Sequence, residues 1–262
     1  MPILSGWMRI VLFLLVYLLL QMTIALLQPG LFLHFTCSFL LSLLLVGIFT
    51  VSIDQQKLSV LGFQSRGAAS EAILGALTAI SMLAIICLTM MAAHQLRYTG
   101  FHFAATSFFS SLVLMIMVAL AEELVFRGYI LRNLLRFMRP YVALLLSALV
   151  FAIFHAANPG ASWLPMLNVF LAGCLLGIRY IFNRGLWFGI CLHFCWNFLQ
   201  GPVLGYAVSG LTLPSFCSAE FGNNTLLTGG EFGIEGSVIT TATLILLVLL
   251  FARFTANKQV DL

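Results

Sequence analysis

Charged side chains are scarce in this chain. Only 8% of its 262 residues are Asp, Glu, Lys or Arg, and 62% are hydrophobic, whereas soluble domains have about 25% and roughly 45–50%. The shortage of charge excludes an ordinary water-exposed surface. Apolar runs of about 20 residues, enough to cross a bilayer, recur along the whole sequence. The sequence therefore predicts a polytopic membrane protein.

Two further absences narrow the class of function. The basic residues behind the net charge of +4 do not gather in one patch, so the footprint of a nucleic-acid-binding protein is missing and we expect no nucleic-acid partner. The cysteines lack paired spacing in loops, which excludes a disulfide framework and indicates small apolar side chains. They are Cys37, Cys87, Cys174, Cys191, Cys195 and Cys217.

The positions of Lys and Arg predict how the chain crosses the membrane. If the N-terminus is cytoplasmic, ten of them fall in inside segments and only Arg97 falls in an outside segment. The positive-inside rule thus predicts an all-α bundle of about eight transmembrane helices with both termini in the cytoplasm. The predicted spans are 8–27, 31–53, 72–93, 107–131, 140–156, 163–181, 185–200 and 237–254.

The spans and their connections divide the chain into three regions. Residues 1–106 hold three spans and a segment, 54–71, whose mixed charged and apolar residues predict a position at the membrane interface. Residues 107–200 hold the polar motifs described below, and residues 201–262 hold a Gly-rich loop and the last span. That loop, 201–236, contains eight glycines. A connection of this length is usually functional or disordered, so a re-entrant lid and a flexible outer loop both stay open.

Three charges interrupt the fourth apolar run, in the sequence AEELVFRGYILR. Each ionised residue at a helix centre costs roughly 2.5–3.5 kcal/mol on insertion scales. Glu123 and Arg127 are four residues apart, so they share a helical face and can pair. Glu122 lies about 100° around the helix from Glu123. We therefore expect Glu122 to face another partner.

The fifth and seventh spans carry the next polar groups. His155 shares a helical face with Phe151, and His193 shares one with Asn197, because each pair is four residues apart. By chain position Glu122, His193 and Asn197 fall at middle depths, whereas His155 falls nearer the outer side. Ionisable residues within a membrane bundle indicate a functional site, which we expect inside the bundle, with Glu122 within about two water diameters of the imidazoles.

These residue types suit peptide-bond hydrolysis. A carboxylate and an imidazole, Glu122 and His155, can hold and deprotonate water, while His193 and Asn197 can donate to the oxyanion that forms. Glu122, His155 and His193 are equally candidate zinc ligands, although the usual H-E-x-x-H helix is absent. The same groups would suit the proton relay of a transporter, although paired interrupted half-spans are missing. The residues alone leave these alternatives open.

The polar residues form three motifs on successive apolar helices: Glu122-Glu123-x-x-x-Arg127, Phe151-x-x-x-His155 and His193-x-x-x-Asn197. In this order they resemble the signature motifs of the CPBP family of intramembrane proteases. This family includes the CAAX prenyl endopeptidases and bacterial relatives linked to bacteriocin processing and self-immunity. The resemblance is strongest over residues 118–200, and the stretches LSVLGF and LTGGEFGIEGS are also similar to bacterial members.

The resemblance implies a glutamate-dependent intramembrane endopeptidase. Glu122 would be the catalytic glutamate and His155 its partner in activating water, with His193 and Asn197 stabilising the oxyanion. The residues implied in structural support are Glu123, Arg127 and Phe151.

The resemblance also implies a location and a class of partner. We expect a bacterial cytoplasmic membrane and a membrane-anchored or membrane-inserting substrate, such as a leader peptide, a small membrane protein or a signalling pheromone. Zinc stays a candidate cofactor. A non-hydrolytic scaffold or bacteriocin-immunity factor of the same fold is the alternative to a protease.

Overall fold

The structure is a computed structural model that describes residues 6–260, with side chains described to residue 254. Its helices are α1 (Gly6–Leu26), α2 (Leu31–Ile48), α3 (Ala68–Ala92), α4 (Ala105–Glu123), α5 (Arg132–Leu134), α6 (Pro140–His155), α7 (Trp163–Ile178), α8 (Tyr180–Asn183), α9 (Trp187–Phe198), α10 (Thr225–Thr228) and α11 (Val238–Val260). Wider π turns extend α2, α4 and α9; they are Phe49–Ile53, Leu124–Leu131 and Leu199–Val203. Strands β1 (Leu96–Phe101) and β2 (Cys217–Phe221) pair antiparallel.

The helices have the lengths and surfaces of membrane spans. Within residues 6–260, five helical segments are long and apolar enough to cross a bilayer: Gly6–Leu26, Leu31–Ile53, Ala68–Ala92, Ala105–Leu134 and Trp163–Asn183. Pro140–His155 and Val238–Phe254 are shorter apolar helices. Leu19, Leu88 and Leu246 are each more than 60% exposed, as lipid-facing side chains are. The predicted all-α membrane bundle is confirmed.

Each predicted span coincides with a helix, and α9 with its π turn occupies the position of the seventh. The cytoplasmic placement of the termini stays a prediction, and residues 1–5 and 261–262 lie outside the described residues. Two of the arginines assigned to one side, Arg9 and Arg132, do meet at one end of the bundle, which we call the basic end. It is defined by Arg9, Asp54 and Arg132, which lie in one cluster.

Asp54 ties three parts of the chain together at the basic end. Its Oδ1 accepts a hydrogen bond from Arg9 at 3.0 Å and its Oδ2 accepts one from Asn133 at 3.2 Å. Arg132 Nη1 lies 3.9 Å from the same carboxylate. Asp54 is only 1% exposed. A buried carboxylate needs such donors. The segment 54–71, predicted to lie at the interface, therefore begins with a residue that is inside the bundle.

A glycine brings α3 and α9 into close contact. A Cβ at Gly75 would lie 2.3 Å from the carbonyl oxygen of Phe188 and 3.0 Å from the amide nitrogen of Leu192. Small residues at helix crossings let backbones approach in this way. Because α9 carries His193, this contact helps to fix the position of a candidate site residue.

We expect the Gly75→Ala variant to be less stable by about 1–3 kcal/mol, because the added methyl group has no space without moving α9. Gly47→Ala is the matched control, since nothing lies within 4 Å of a Cβ at Gly47. Thermal unfolding in detergent is the measurement. Equal melting temperatures for the two variants would contradict the close-packing argument.

The Gly-rich segment covers the end of the bundle opposite the basic end. We call residues 205–236 the cap. Strand β2 pairs with β1, and the hydroxyl oxygens of Tyr206 and Tyr98 lie 2.5 Å apart; burial raises the pKa of both tyrosines. Gly229 has φ +82°, and a Cβ there would meet the carbonyl oxygen of Gly233, so the tight turn requires glycine. The cap is thus a packed cover rather than a loose loop.

Candidate active site

Three helices bring one carboxylate and two imidazoles together. Glu122 is the next-to-last residue of α4, His155 is the last residue of α6, and His193 lies in α9. Glu122 Oε2 is 3.9 Å from His155 Nε2 and 3.8 Å from His193 Nε2. In the described part of the chain this buried oxygen has no hydrogen-bond partner. Most buried polar atoms are paired, so such an oxygen needs an explanation.

The second glutamate of the first motif has a different set of neighbours. Arg127 Nη1 donates to Glu123 Oε1 at 3.0 Å, and its Nη2 donates to the carbonyl oxygen of Gly173 at 3.0 Å. The guanidinium carbon lies 4.6 Å from the ring centroid of Phe151. Both charged side chains are fully enclosed, at 0% and 1% exposure. Glu123, Arg127 and Phe151 therefore form a packed ion-pair unit behind Glu122.

Both imidazoles are oriented through their Nδ1 atoms. His155 Nδ1 lies 2.8 Å from the carbonyl oxygen of Phe151. Because a carbonyl oxygen only accepts, this Nδ1 carries the proton. His193 Nδ1 lies 3.2 Å from Glu123 Oε1, a carboxylate oxygen that likewise accepts. Each ring is thus held with Nε2 facing Glu122.

These residues line one cavity of about 540 Å³. Glu122, His155, His193 and Asn197 all contribute to its wall. Asn197 is buried one turn after His193 on the same face of α9. Most of the remaining lining is apolar, a combination typical of ligand-binding cavities with a few polar groups that orient the ligand.

The expected depth offset of His155 is small. Helix α6 has 16 residues, so His155 lies about 23 Å from the turn at 135–139. The helical segment Ala105–Leu134 continues beyond Glu122 for about 12 residues, or roughly 18 Å, toward the same turn. His155 therefore lies about 5 Å farther from that turn than Glu122, which is the expected direction, and their side chains span this difference.

The cap contributes a carboxylate that the sequence interpretation missed. Glu235 Oε1 accepts a hydrogen bond from Trp196 Nε1 at 2.8 Å, and Oε2 accepts from both the amide and the hydroxyl of Ser209 at 2.7 Å. Asn168 Nδ2 donates to the Glu235 carbonyl oxygen at 2.7 Å. Glu235, Trp196 and Ser209 line the cavity with Glu122. The available signal was an acidic residue within GIEGS, in a segment otherwise poor in charge.

The candidate zinc ligands are close but are not arranged as a metal site. At zinc–ligand distances of about 2.0–2.1 Å, tetrahedral ligand atoms lie roughly 3.4 Å apart. Glu122 Oε2 is 3.9 and 3.8 Å from the two Nε2 atoms. Among the residues with described positions, no group of three His, Cys, Asp or Glu side chains has the geometry to hold a metal ion. The described side chains therefore do not form a ready zinc site.

Comparison with known proteins agrees with the motifs. Residues 104–199 match the family model described as type II CAAX prenyl endopeptidase Rce1-like. This region runs from the start of α4 to the end of α9 and contains all seven motif residues. No curated protein and no solved structure matches the chain. Residues 104–199 are therefore similar to the Rce1-like type II CAAX prenyl endopeptidases, and the resemblance to the CPBP family is confirmed over this region.

Proposed function

We propose that this protein is an intramembrane endopeptidase that hydrolyses a peptide bond of a membrane-anchored or membrane-inserting substrate. Glu122 and His155 activate the water, and His193 and Asn197 stabilise the oxyanion. The observation that carries the proposal is the position of Glu122 Oε2, 3.9 and 3.8 Å from two oriented imidazoles in one cavity. A bacterial cytoplasmic membrane is the proposed location.

The spacing of Glu122 and His155 suits a shared water molecule. Two hydrogen bonds of roughly 2.8 Å that meet at one water oxygen at about 90–105° span about 4.0–4.4 Å, and the 3.9 Å between Glu122 Oε2 and His155 Nε2 lies at the short end of this range. The carboxylate takes a proton as the water oxygen attacks the carbonyl carbon, and the proton then passes to the leaving amine. His155 accepts a hydrogen bond from the second O–H of the water, which orients a lone pair of the water oxygen toward the substrate carbonyl carbon.

His193 and Asn197 act on the substrate, where they stabilise the negative charge that develops on its carbonyl oxygen. With Nδ1–H held by Glu123, the imidazolium form of His193 donates from Nε2 to the developing oxyanion. The amide of Asn197, one turn away, supplies a second donor. Donors fixed before the reaction, in a mostly apolar cavity, are usually the largest single contribution to such catalysis.

The substrate class follows from where the cavity lies. Its wall includes Gln21 of α1 and His34 and Phe35 of α2, as well as the catalytic core. A peptide therefore reaches Glu122 among membrane helices rather than on an aqueous surface. The bilayer and a membrane-embedded peptide or protein are the proposed partners.

Hydrolysis is tested with the purified full chain in liposomes. Internally quenched peptides of two kinds, lipid-anchored and apolar leader-type, are incubated with it in the presence and absence of a zinc chelator. We expect cleavage of at least one kind, unaffected by the chelator if side chains alone hold the water. Loss of cleavage with the chelator, restored by added zinc, would assign Glu122, His155 and His193 as metal ligands. No cleavage of any peptide would contradict the proposal.

We expect the Asn197→Ala variant to have a kcat about 10²–10³-fold lower with KM nearly unchanged, because the lost donor acts on the oxyanion and not on the bound substrate. Asn158→Ala is the control, since Asn158 lines the same cavity without an assigned role in the reaction. Steady-state kinetics on the cleaved peptide make the comparison. A raised KM with unchanged kcat would contradict the assigned role.

A further inference from the structure

A second pocket lies at the basic end of the bundle. Its volume is about 280 Å³, and its wall includes Arg132, Arg136, Tyr180 and Arg184; we call it the arginine pocket. Among the described residues no Asp or Glu lines it, and none of its lining residues belongs to the wall of the active-site cavity. Three guanidinium groups therefore line a space that contains no acidic side chain and has no part in the proposed reaction.

Arg132 has a buried donor without an acceptor. Its Nη1 lies 3.9 Å from Asp54 Oδ2, which is too long for a hydrogen bond, and within the described chain this nitrogen has no hydrogen-bond partner. Asp54 already accepts hydrogen bonds from Arg9 and Asn133, at 3.0 and 3.2 Å. Because buried donors are normally paired, Arg132 needs an acceptor from outside the protein.

The Tyr180 hydroxyl is a second donor of this kind. Tyr180 is only 2% exposed, and its hydroxyl is buried without a hydrogen-bond partner in the described part of the chain. The charges of Arg132 and Arg184 both act on this hydroxyl. The Arg184 amide donates to the Tyr180 carbonyl oxygen at 3.0 Å, which holds the two residues one turn apart. An unpaired hydroxyl close to two cations suits an anion that accepts from all three groups.

The other two arginines of the pocket have no acidic partner. Arg136 and Arg184 are exposed, and among the described residues no carboxylate lies within 4.0 Å of either. Arg179, the neighbour of Tyr180, is by contrast paired with Glu71, to which its Nε donates at 3.0 Å. Gathered like charges repel one another, and an anion between them removes this repulsion. Guanidinium groups match the oxygens of phosphate in geometry as well as in charge.

The pocket lies where membrane spans end. The helical segments Ala105–Leu134 and Trp163–Asn183, both long and apolar enough to cross a bilayer, finish beside it, so the pocket is at the height of the lipid headgroups. Val60 and Leu135 add apolar surface to its wall, which suits the glycerol part of a lipid. Basic pockets between transmembrane helices are typical binding sites for anionic headgroups.

We propose that the arginine pocket binds a phosphate group through Arg132, Tyr180 and Arg184, with Arg136 on its exposed side. A free phosphate ion and the phosphate of an anionic lipid offer the same acceptor oxygens, and the position at the span ends favours the lipid. The bound group joins α8 to the end of the segment Ala105–Leu134, so it stabilises the folded chain. Binding does not depend on hydrolysis, and the site is therefore separate from the proposed function.

The test titrates the purified full chain, in a neutral detergent at constant ionic strength, with three probes. They are dihexanoyl phosphatidylglycerol, dihexanoyl phosphatidylcholine and inorganic phosphate. Isothermal titration calorimetry gives the dissociation constants, and thermal unfolding gives the stabilisation. We expect phosphatidylglycerol to bind about tenfold more tightly than phosphatidylcholine, whose phosphate is balanced by its own cation, and to raise the melting temperature.

Two variants test the assigned donors. Tyr180→Phe should raise the dissociation constant for phosphatidylglycerol about fivefold and leave the melting temperature without the probe unchanged, because the hydroxyl has no partner in the described chain. Arg184→Gln should raise the dissociation constant about tenfold. The matched controls are Tyr141→Phe and Arg139→Gln, which change exposed residues outside the pocket and should leave the dissociation constant as it is.

The outcomes separate the two sources of phosphate and can overturn the site. Tight binding of inorganic phosphate without binding of phosphatidylglycerol would assign free phosphate as the ligand. No binding of either, or equal affinity for the two lipids, overturns the proposal. An equal loss of affinity in Arg139→Gln and Arg184→Gln would also overturn it, because the net charge of the basic end would then be sufficient to attract the probe. Peptide cleavage is measured separately, and its absence would contradict the protease function without affecting this result.

Discussion

In the Glu122→Gln variant, we expect kcat to fall by about 10²–10⁴-fold, because an amide cannot take the proton from the attacking water. The fold should not suffer, since Gln has the same shape and the described chain makes no hydrogen bond to Glu122 Oε2. Peptide cleavage and thermal unfolding, measured on the same preparation, separate the two effects. A loss of turnover without a loss of stability would indicate that the Glu122 carboxylate acts in catalysis and not in folding.

Glu231→Gln is the matched control for that experiment, because it makes the same change at an exposed cap residue and should leave kcat unchanged. The variant also separates the alternative functions. If a cellular phenotype survives in well-folded Glu122→Gln protein, a scaffold or immunity role explains the phenotype and hydrolysis does not. Proton flux in proteoliposomes that the same substitution abolishes would instead support a transporter.

Arg127→Ala is expected to give the largest loss of stability, about 3–5 kcal/mol, and therefore poor insertion or misfolding. The substitution removes the hydrogen bonds to Glu123 and to the Gly173 carbonyl, and it leaves the Glu123 carboxylate enclosed without its cation. It also removes the guanidinium packed over Phe151. Yield in membranes and melting temperature in detergent are the measurements.

Two comparisons make the Arg127 result specific. Arg139→Ala removes an exposed arginine and should change neither yield nor melting temperature. Adding Glu123→Gln to Arg127→Ala should recover part of the lost stability, because the enclosed charge is then gone. Normal yield together with normal activity in Arg127→Ala would contradict the structural role of the ion pair.

Helix periodicity and hydropathy were sufficient to predict much of this protein. The eight apolar runs coincide with helices, and the i, i+4 spacing of Glu123 and Arg127 predicted their contact, which is 3.0 Å long. The same spacing argument predicted that Glu122 faces away from Arg127. In the structure Glu122 faces His155 and His193. These features depend on local geometry, which sequence spacing encodes directly.

Features that depend on distant parts of the chain were not predictable in this way. Glu235 was missed because its partners, Trp196 and Ser209, lie 39 and 26 residues away. Asp54 was assigned to an interfacial segment because its partner Arg9 lies 45 residues away. Neither pairing has a periodic signal.

The π turn at Leu124–Leu131 affects how this region should be aligned with related sequences. A π turn accommodates one more residue than the α-helical turn it replaces. A relative with one residue fewer after the paired glutamates would keep both carboxylates but would present the downstream side chains at a different angle. A single-residue gap at this point of an alignment therefore indicates that a relative has an α-helical turn in place of the π turn. A homology model of such a relative needs the backbone of this turn to be built anew.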